Sequence, residues 1–279
     1  MPDGLLLVDK PSGVTSHGVV DAERRALGVR RIGHAGTLDP MATGLLILGV
    51  GRATRLLRYF GMLPKTYEGT VRLGEETDTH DADGAVVRTS PVVASRDDVA
   101  RAAVALVGES MQTPPAYSAV KVRGRKLYEE ARAGRPTEAP PRRIRVDAFH
   151  LTEFDGRDVG FRVTCSGGTY VRVLAADLGR SLGCGGHLVA LRRTGIGPFD
   201  VQDASPPGEG ALLPVERAVA HLPKVELDTE EARAAVHGRI LAPSGVEGPH
   251  AVFDPEGRLI GVYRDEGSRA RPEVILAPG

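Results

Sequence analysis

The chain has 279 residues, and its 36 basic side chains balance its 36 acidic ones, which excludes a uniformly basic nucleic-acid coat. With 41% hydrophobic and 26% charged residues it is an ordinary globular sequence, long enough for a main domain and a smaller one. No apolar run reaches the length of a membrane span or a signal peptide, and Cys165 and Cys184 lack CxxC or Cys/His spacing, so the expectation is a cytoplasmic protein without disulfides or a zinc site.

Leu5 to Val8 reads as a short buried strand, and Lys10-Pro11-Ser12-Gly13 as a turn. Ser16 is placed to cap a helix over His17 to Leu27, closed by Gly28. A loop follows, GHAGTLDPMATG at 33 to 44, and then a continuous apolar strand from Leu45 to Val50. Tyr67 to Leu73 alternates as a half-buried strand. Ser95 with Asp98 opens a capped helix that runs to about Val107, before Gly108. Gly160 to Cys165 and Thr169 to Val173 read as strands about a Gly167-Gly168 turn, and Leu174 to Leu182 as a helix ended by Gly183. Pro and Gly crowd between Asp203 and Pro214, which suggests a domain boundary. Beyond it, Asp228 or Thr229 caps a helix through Val236, and residues 250 to 264 form two strands joined at Pro255-Glu256-Gly257. The irregular mixture indicates an α+β fold with a mixed, largely antiparallel sheet and a small, mostly β C-terminal unit.

Charge is segregated along the chain. From Ala119 to Arg145 there are nine Lys or Arg against three Glu, whereas Gly74 to Asp83 holds five carboxylates and no base. The basic stretch suits phosphate contacts, although a solvated charged face gives the same pattern.

Several familiar motifs are absent. Gly49-Val50-Gly51 lacks the third glycine of a dinucleotide loop, because Thr54 stands in its place. The calcium-like segment THDADG at 79 to 84 has Thr first and Ser90 twelfth, and no histidine spacing suggests a catalytic metal. Asp39 stands out by elimination. Asp-Pro is a common turn starter, yet here the carboxylate lies in a Gly-flanked loop between apolar strands with His34 and Thr37, and scaffolded loops often carry chemistry.

Six segments together resemble the TruB family of bacterial tRNA pseudouridine synthases: LLLVDKPSGVTSH at 5 to 17, GHAGTLDPMATGLL at 33 to 46, KTYEGTVRLGEETDTHDADG at 65 to 84, QTPPAYSAVKVRGRKLYEEARAG at 112 to 134, CSGGTYVRVLAADLG at 165 to 179, and HLVALRRTGIGPF at 187 to 199. The resemblance implies a pseudouridine synthase fold over residues 1–213, with a basic RNA-binding insertion at about 117–145, and a PUA-like RNA-binding domain over 214–279. It implies isomerisation of a T-loop uridine, position 55 of tRNA, to pseudouridine by base flipping, without metal or organic cofactor.

By the same resemblance Asp39 is the nucleophile, attacking either the sugar C1′ or the base C6, and Arg172 pairs with it. Tyr67 stacks on the base and is a candidate for moving the C5 proton. Tyr170 shapes the pocket, Leu191 contacts the uracil and His34 stands at the flipping site. Lys10 and Pro11 support the catalytic loop, while Lys121 and Arg125 contact RNA and the acidic segment at 74 to 83 points away or lies at the rim. The expected partner is a tRNA T-arm stem-loop, bound by a monomer that needs no protein partner. Two rivals share parts of this pattern: a guide-RNA-dependent pseudouridylase subunit, and a non-catalytic tRNA-folding or RNA-binding protein.

Overall fold

The computed structural model describes residues 2–118, 120–122, 124–127, 130, 133 and 137–276. The first half contains β1 (Gly4–Lys10), α1 (Ser16–Leu27), β2 (Ile32–Ala35), β3 (Thr43–Val50), a 3-10 helix (Gly51–Phe60), β4 (Lys65–Leu73), the short hairpin of β5 (Glu75–Thr77) and β6 (Val86–Thr89), α2 (Arg96–Ala105) and β7 (Gly108–Gln112). A two-stranded hairpin, β8 (Lys121–Val122) with β9 (Arg125–Lys126), lies in the basic segment. Then come β10 (Arg142–Phe154), β11 (Asp158–Cys165), α3 (Val171–Ser181), β12 (Gly186–Ile196) and β13 (Phe199–Asp200). The C-terminal unit holds β14 (Lys224–Glu226), α4 (Thr229–Val236), β15 (Pro249–Phe253), β16 (Leu259–Glu266) and β17 (Arg269–Ile275).

Nine strands form the central sheet, ordered β1-β3-β12-β4-β11-β10-β7, with β2 paired to β3 and β13 to β12. All of its ladders are antiparallel except β3 with β12, which makes the sheet mixed, as expected. The apolar runs of β1 and β3 look unpatterned because both of their faces are covered. Leu6, Val8, Leu46 and Leu48 pack with Val19 and Val20 of α1, whereas Leu5, Leu7, Leu45 and Ile47 pack with Leu56, Phe60 and residues of the C-terminal unit such as Phe253 and Val262. Alternation along a strand assigns these faces.

The Asp203 to Pro214 segment runs back along β1: Leu213 and Leu5 exchange backbone hydrogen bonds at 2.8 and 3.0 Å, and Asp9 donates to Ser205 at 2.8 Å. The C-terminal four-stranded sheet, ordered β14-β15-β16-β17, is then held to the 3-10 helix by Arg55 on the Ile275 carbonyl at 2.6 Å and Tyr59 on Glu273 at 2.7 Å.

Three expected elements differ. The stretch from 33 to 44 is not all loop, because Ile32–Ala35 is the strand β2, paired antiparallel with β3. Thr15, not Ser16, caps α1, accepting from the Gly18 N–H at 2.9 Å, because Ser16 turns inward to another partner. Thr169 to Val173 is not a strand: Tyr170 is the cap of α3 and Val171 begins that helix. Gln112 fixes the cap, accepting from the Tyr170 N–H at 2.8 Å and donating to its carbonyl at 3.2 Å, a tertiary tie that overrides the β-branched local pattern. Among the described residues no helix is long and apolar enough to cross a membrane.

Candidate active site

The loop from Gly36 to Ala42 is held by the segment that follows β1. Lys10 is fully buried, and its ammonium donates to the carbonyls of Pro11 at 3.0 Å, Val14 at 2.6 Å and Pro40 at 3.2 Å. Gly13 N–H reaches the same Pro40 carbonyl at 2.9 Å. Ser16 accepts from the Leu38 N–H at 2.9 Å and donates to the Leu38 carbonyl at 3.1 Å, so both polar groups beside the carboxylate's own residue are satisfied. Asp39 closes the loop on itself, its carbonyl accepting from Ala42 N–H at 3.1 Å. The chain then enters β3 through Gly44, at φ +100°, where a Cβ would come within 2.3 Å of the Arg193 carbonyl on β12. Lys10 and Pro11 thus stand beneath the loop as a support.

Asp39 keeps 37% of its side-chain surface open while Arg172 is 5% exposed, and the Arg172 Nε stands 3.6 Å from the Asp39 carboxylate. That nitrogen makes no hydrogen bond at this distance. The rest of the guanidinium is fully engaged: Nη1 pairs with Asp81 at 3.1 Å and Nη2 donates to the Tyr117 carbonyl at 2.7 Å. Asp81 is itself buried and held by Thr79 Oγ1 at 2.5 Å and the Asp83 N–H at 3.2 Å. Burial pushes the Asp39 carboxyl above the usual carboxylate range; Arg172 pulls it down, Asp81 and Asp83 push it up, and Lys10 draws it down again. Arg172 therefore favours the ionised form of Asp39 against its surroundings.

The acidic segment was expected to point away or lie at the rim, and Asp81 corrects this. It sits inside the site because the backbone from Thr77 to Asp81 folds against β12, with Leu188 N–H donating to the His80 carbonyl at 3.0 Å. Its sequence surroundings resembled a poor calcium loop, and only the tertiary pairing exposes its role. Arg193 and Ser16 were missed likewise.

Leu38, Tyr67, Val171 and Leu191 share one buried cluster next to Asp39. On the β4–β12 ladder Tyr67 lies opposite Arg193 and Gly69 opposite Leu191, so Tyr67, Leu191 and Arg193 project from the same face. Tyr67 is 8% exposed, and burial raises its phenol pKa while Arg193 opposes the rise. Tyr170 is partly open, with the guanidinium of Arg142 4.7 Å and that of Arg172 5.8 Å from its ring centre. His34 lies on β2, five residues before Asp39 in the chain; burial depresses its basicity, and the charges of Arg193 and His17 depress it further. Arg125 is not among these groups: it is in the β8–β9 hairpin and pairs with Glu130 at 3.3 Å. The Lys121 side chain lies outside the described residues. A separate open depression beside Leu73, Glu75, Val92 and Arg157 contains none of this chemistry.

A carboxylate beside a guanidinium and next to buried aromatic and aliphatic side chains can, when ionised, add to an electrophilic carbon of a flat ring placed there. On this mixed sheet it defines the class, an enzyme of the pseudouridine synthase fold. Residues 24–171 match the description "TruB family pseudouridylate synthase (N terminal domain)", residues 172–206 "tRNA pseudouridylate synthase B C-terminal domain", and residues 222–277 "tRNA Pseudouridine synthase II, C terminal". The chain is 48% identical over 295 residues to tRNA pseudouridine synthase B of Thermobifida fusca (strain YX), covering 99% of both. It is 48% identical over 277 residues to the protein of the same name from Aromatoleum aromaticum (strain DSM 19018 / LMG 30748 / EbN1), covering 95% of this chain and 90% of that one. A solved Cbf5-Nop10-Gar1 complex contains a chain similar to it at TM-score 0.77 and 27% identity, over 99% of this chain and 85% of that one. The chain belongs to the TruB family of pseudouridylate synthases, and it is an isomerase.

Proposed function

We propose that the protein isomerises one uridine in the T-loop of tRNA, position 55, to pseudouridine, with Asp39 as nucleophile. The observation that carries this reading is the pair of Asp39 and Arg172 at 3.6 Å, beside the buried cluster that contains Leu38, Tyr67 and Leu191. The uridine is flipped out of the folded loop so that the carboxylate reaches it. His34 occupies the place the base leaves, Tyr170 borders the flipped nucleotide and Leu191 meets the uracil. Asp39 adds to C1′ or C6, the N-glycosidic bond breaks, the base turns, C5 bonds to C1′, and the bond to Asp39 breaks to return the free carboxylate. C5 then gives up its proton and N1 gains one, so no net redox change occurs and no cofactor is required.

The division of labour follows the expectation for the family, with catalysis in residues 1–213 and an RNA-binding PUA-like unit in 214–279. The basic segment closes on the T-arm stem, where Lys121 and Arg125 face phosphates. Its root is tied to the site through the Tyr117 carbonyl on Arg172, which supports coupling between RNA docking and the aim of that arginine. The protein works in the cytoplasm as a monomer with tRNA as its partner. Near-full-length identity to tRNA pseudouridine synthase B favours this stand-alone reading over the guide-RNA subunit suggested by the Cbf5-containing structure.

The test is to incubate the purified protein alone with an unmodified tRNA transcript and map pseudouridine by carbodiimide-dependent primer extension. A single stop at the T-loop uridine is expected. Modification that appears only after adding a guide RNA and accessory proteins would overturn the stand-alone reading.

A further inference from the structure

Arg193 is a buried cation that the chemistry above leaves unused. It is 1% exposed, on β12, and directly opposite Tyr67 across the ladder to β4. Its Nε donates to the Leu45 carbonyl at 2.7 Å and its Nη2 to the Gly36 carbonyl at 3.2 Å, which ties it to the start of the nucleophile loop and to the strand β3 that follows it. Those acceptors are neutral, and among the described residues no carboxylate pairs with it. The neighbouring Arg192 faces the other side of the strand and takes Asp9 at 2.7 Å. An unpaired buried charge is costly, so a fold that retains one beside a reacting group has placed it toward charge that develops during turnover. Its field reaches the surroundings: after burial, it is a further cause of the depressed basicity of Lys65 and His34, and with Asp39 it acts on Lys10.

We propose that Arg193 is a positioning residue for the isomerisation: it holds the Tyr67 phenol toward the flipped base and, as a cation without a carboxylate, supports the phenolate that accepts the C5 proton. This rests on the functional reading above. After C5 has bonded to C1′, the Tyr67 oxygen takes the C5 proton, an O–H bond forms as the C5–H bond breaks, and the electron pair restores the C5–C6 double bond. N1 takes a proton from solvent and Tyr67 returns its own to solvent, so the enzyme is unchanged. The groups acting on the phenol are Arg193 of β12, Cys165 at the end of β11 and Asp39 of the loop; burial raises its pKa most, Arg193 lowers it, and Cys165 and Asp39 raise it.

The test has an arm that does not depend on activity. Tyr67 is replaced by 3,5-difluorotyrosine, and its ionisation is followed by fluorine NMR in otherwise wild-type protein, Arg193→Lys and Arg193→Gln. The midpoint is expected to move up in Arg193→Gln and to be largely restored in Arg193→Lys. Single-turnover tritium release from C5-labelled RNA is expected to fall about a hundredfold in Arg193→Gln, within the range for general acid–base catalysis, with little further loss when Tyr67→Phe is already present. An unmoved midpoint in folded Arg193→Gln, or an equal loss of rate in the Tyr67→Phe background, would overturn the proposal. If Arg193→Gln does not fold, Arg193→Lys decides: a midpoint moved up, or a hundredfold loss of rate, in this variant that keeps the cation overturns it. Absence of tritium release from the wild type would instead sink the functional reading, leaving the titration as a separate result.

Discussion

Asp81→Asn separates the charge of Asp81 from its place. Its charge opposes ionisation of Asp39, so removing it lets Asp39 ionise at lower pH. Its place is to hold Arg172, through a contact of 3.1 Å between side chains that are 5% and 6% exposed. At that separation the attraction is about 5 kcal/mol for an effective dielectric of ~20 and about 1 kcal/mol in bulk water. The amide retains the shape and an acceptor but not this charge. Losing roughly half of the upper figure at the transition state slows the chemical step about a hundredfold, since ~1.4 kcal/mol is tenfold. Asp39 must be ionised to attack, so the rate falls as pH drops through its folded pKa, and lowering that pKa moves the acid limb to lower pH. Single-turnover tritium release over a pH series should therefore show a lower plateau together with an acid limb displaced downward. Arg172→Met should also lower the plateau but displace the limb upward, because the cation that favours the carboxylate is gone. A full plateau with an unmoved limb in Asp81→Asn would refute the network, and an upward shift would refute its electrostatics.

Other outcomes follow from the loop's support. Lys10→Met leaves the Pro11 and Val14 carbonyls without this donor and the Pro40 carbonyl with the Gly13 N–H alone; at about 1 kcal/mol for each lost hydrogen bond, chemical denaturation should show a loss of ~3 kcal/mol, and unchanged stability would contradict the clamp. Ser16→Ala strands the buried Leu38 N–H and should cost about 1–3 kcal/mol, with kcat reduced and KM nearly unchanged; a change confined to KM would contradict a role in aiming the loop. Asp39→Asn should raise the melting temperature near neutral pH. A carboxyl whose folded pKa is raised lowers stability as pH climbs from the unfolded to the folded value, and the cost persists above that window. Because Asp39 is 37% exposed, solvent screening limits the gain to about 1 kcal/mol, and a lower melting temperature at neutral pH would contradict it.

Local signals located much of the scaffold. The Ser95–Asp98 and Asp228–Glu231 capping boxes mark α2 and α4, because the cap and its partner are three residues apart in the chain itself. The apolar runs of β1 and β3 were visible, but not which face met α1 and which the C-terminal unit, since both faces are apolar. Thr169 to Val173 misled because its β-branched alternation is local, whereas the Gln112 bonds that start the helix at Val171 span 58 positions. The site divides similarly. Asp39, Tyr67 and Arg172 were legible through the family resemblance, and the structure brings Asp39 to Arg172. Asp81 was not, since its meaning depends on a segment 91 residues from Arg172 folding onto it. Arg193 was hidden by Arg192 beside it: two adjacent arginines read as a basic pair, and only the strand's alternation sends one to Asp9 and buries the other opposite Tyr67.

The central claim is that the Asp39 carboxylate initiates isomerisation of a T-loop uridine. Its most direct test is tritium release from a T-arm stem-loop labelled at C5 of that single uridine, comparing the wild type with Asp39→Ala at equal RNA occupancy. The wild type should release the label and Asp39→Ala should bind the RNA yet release none above background. Full release by Asp39→Ala would contradict the assignment.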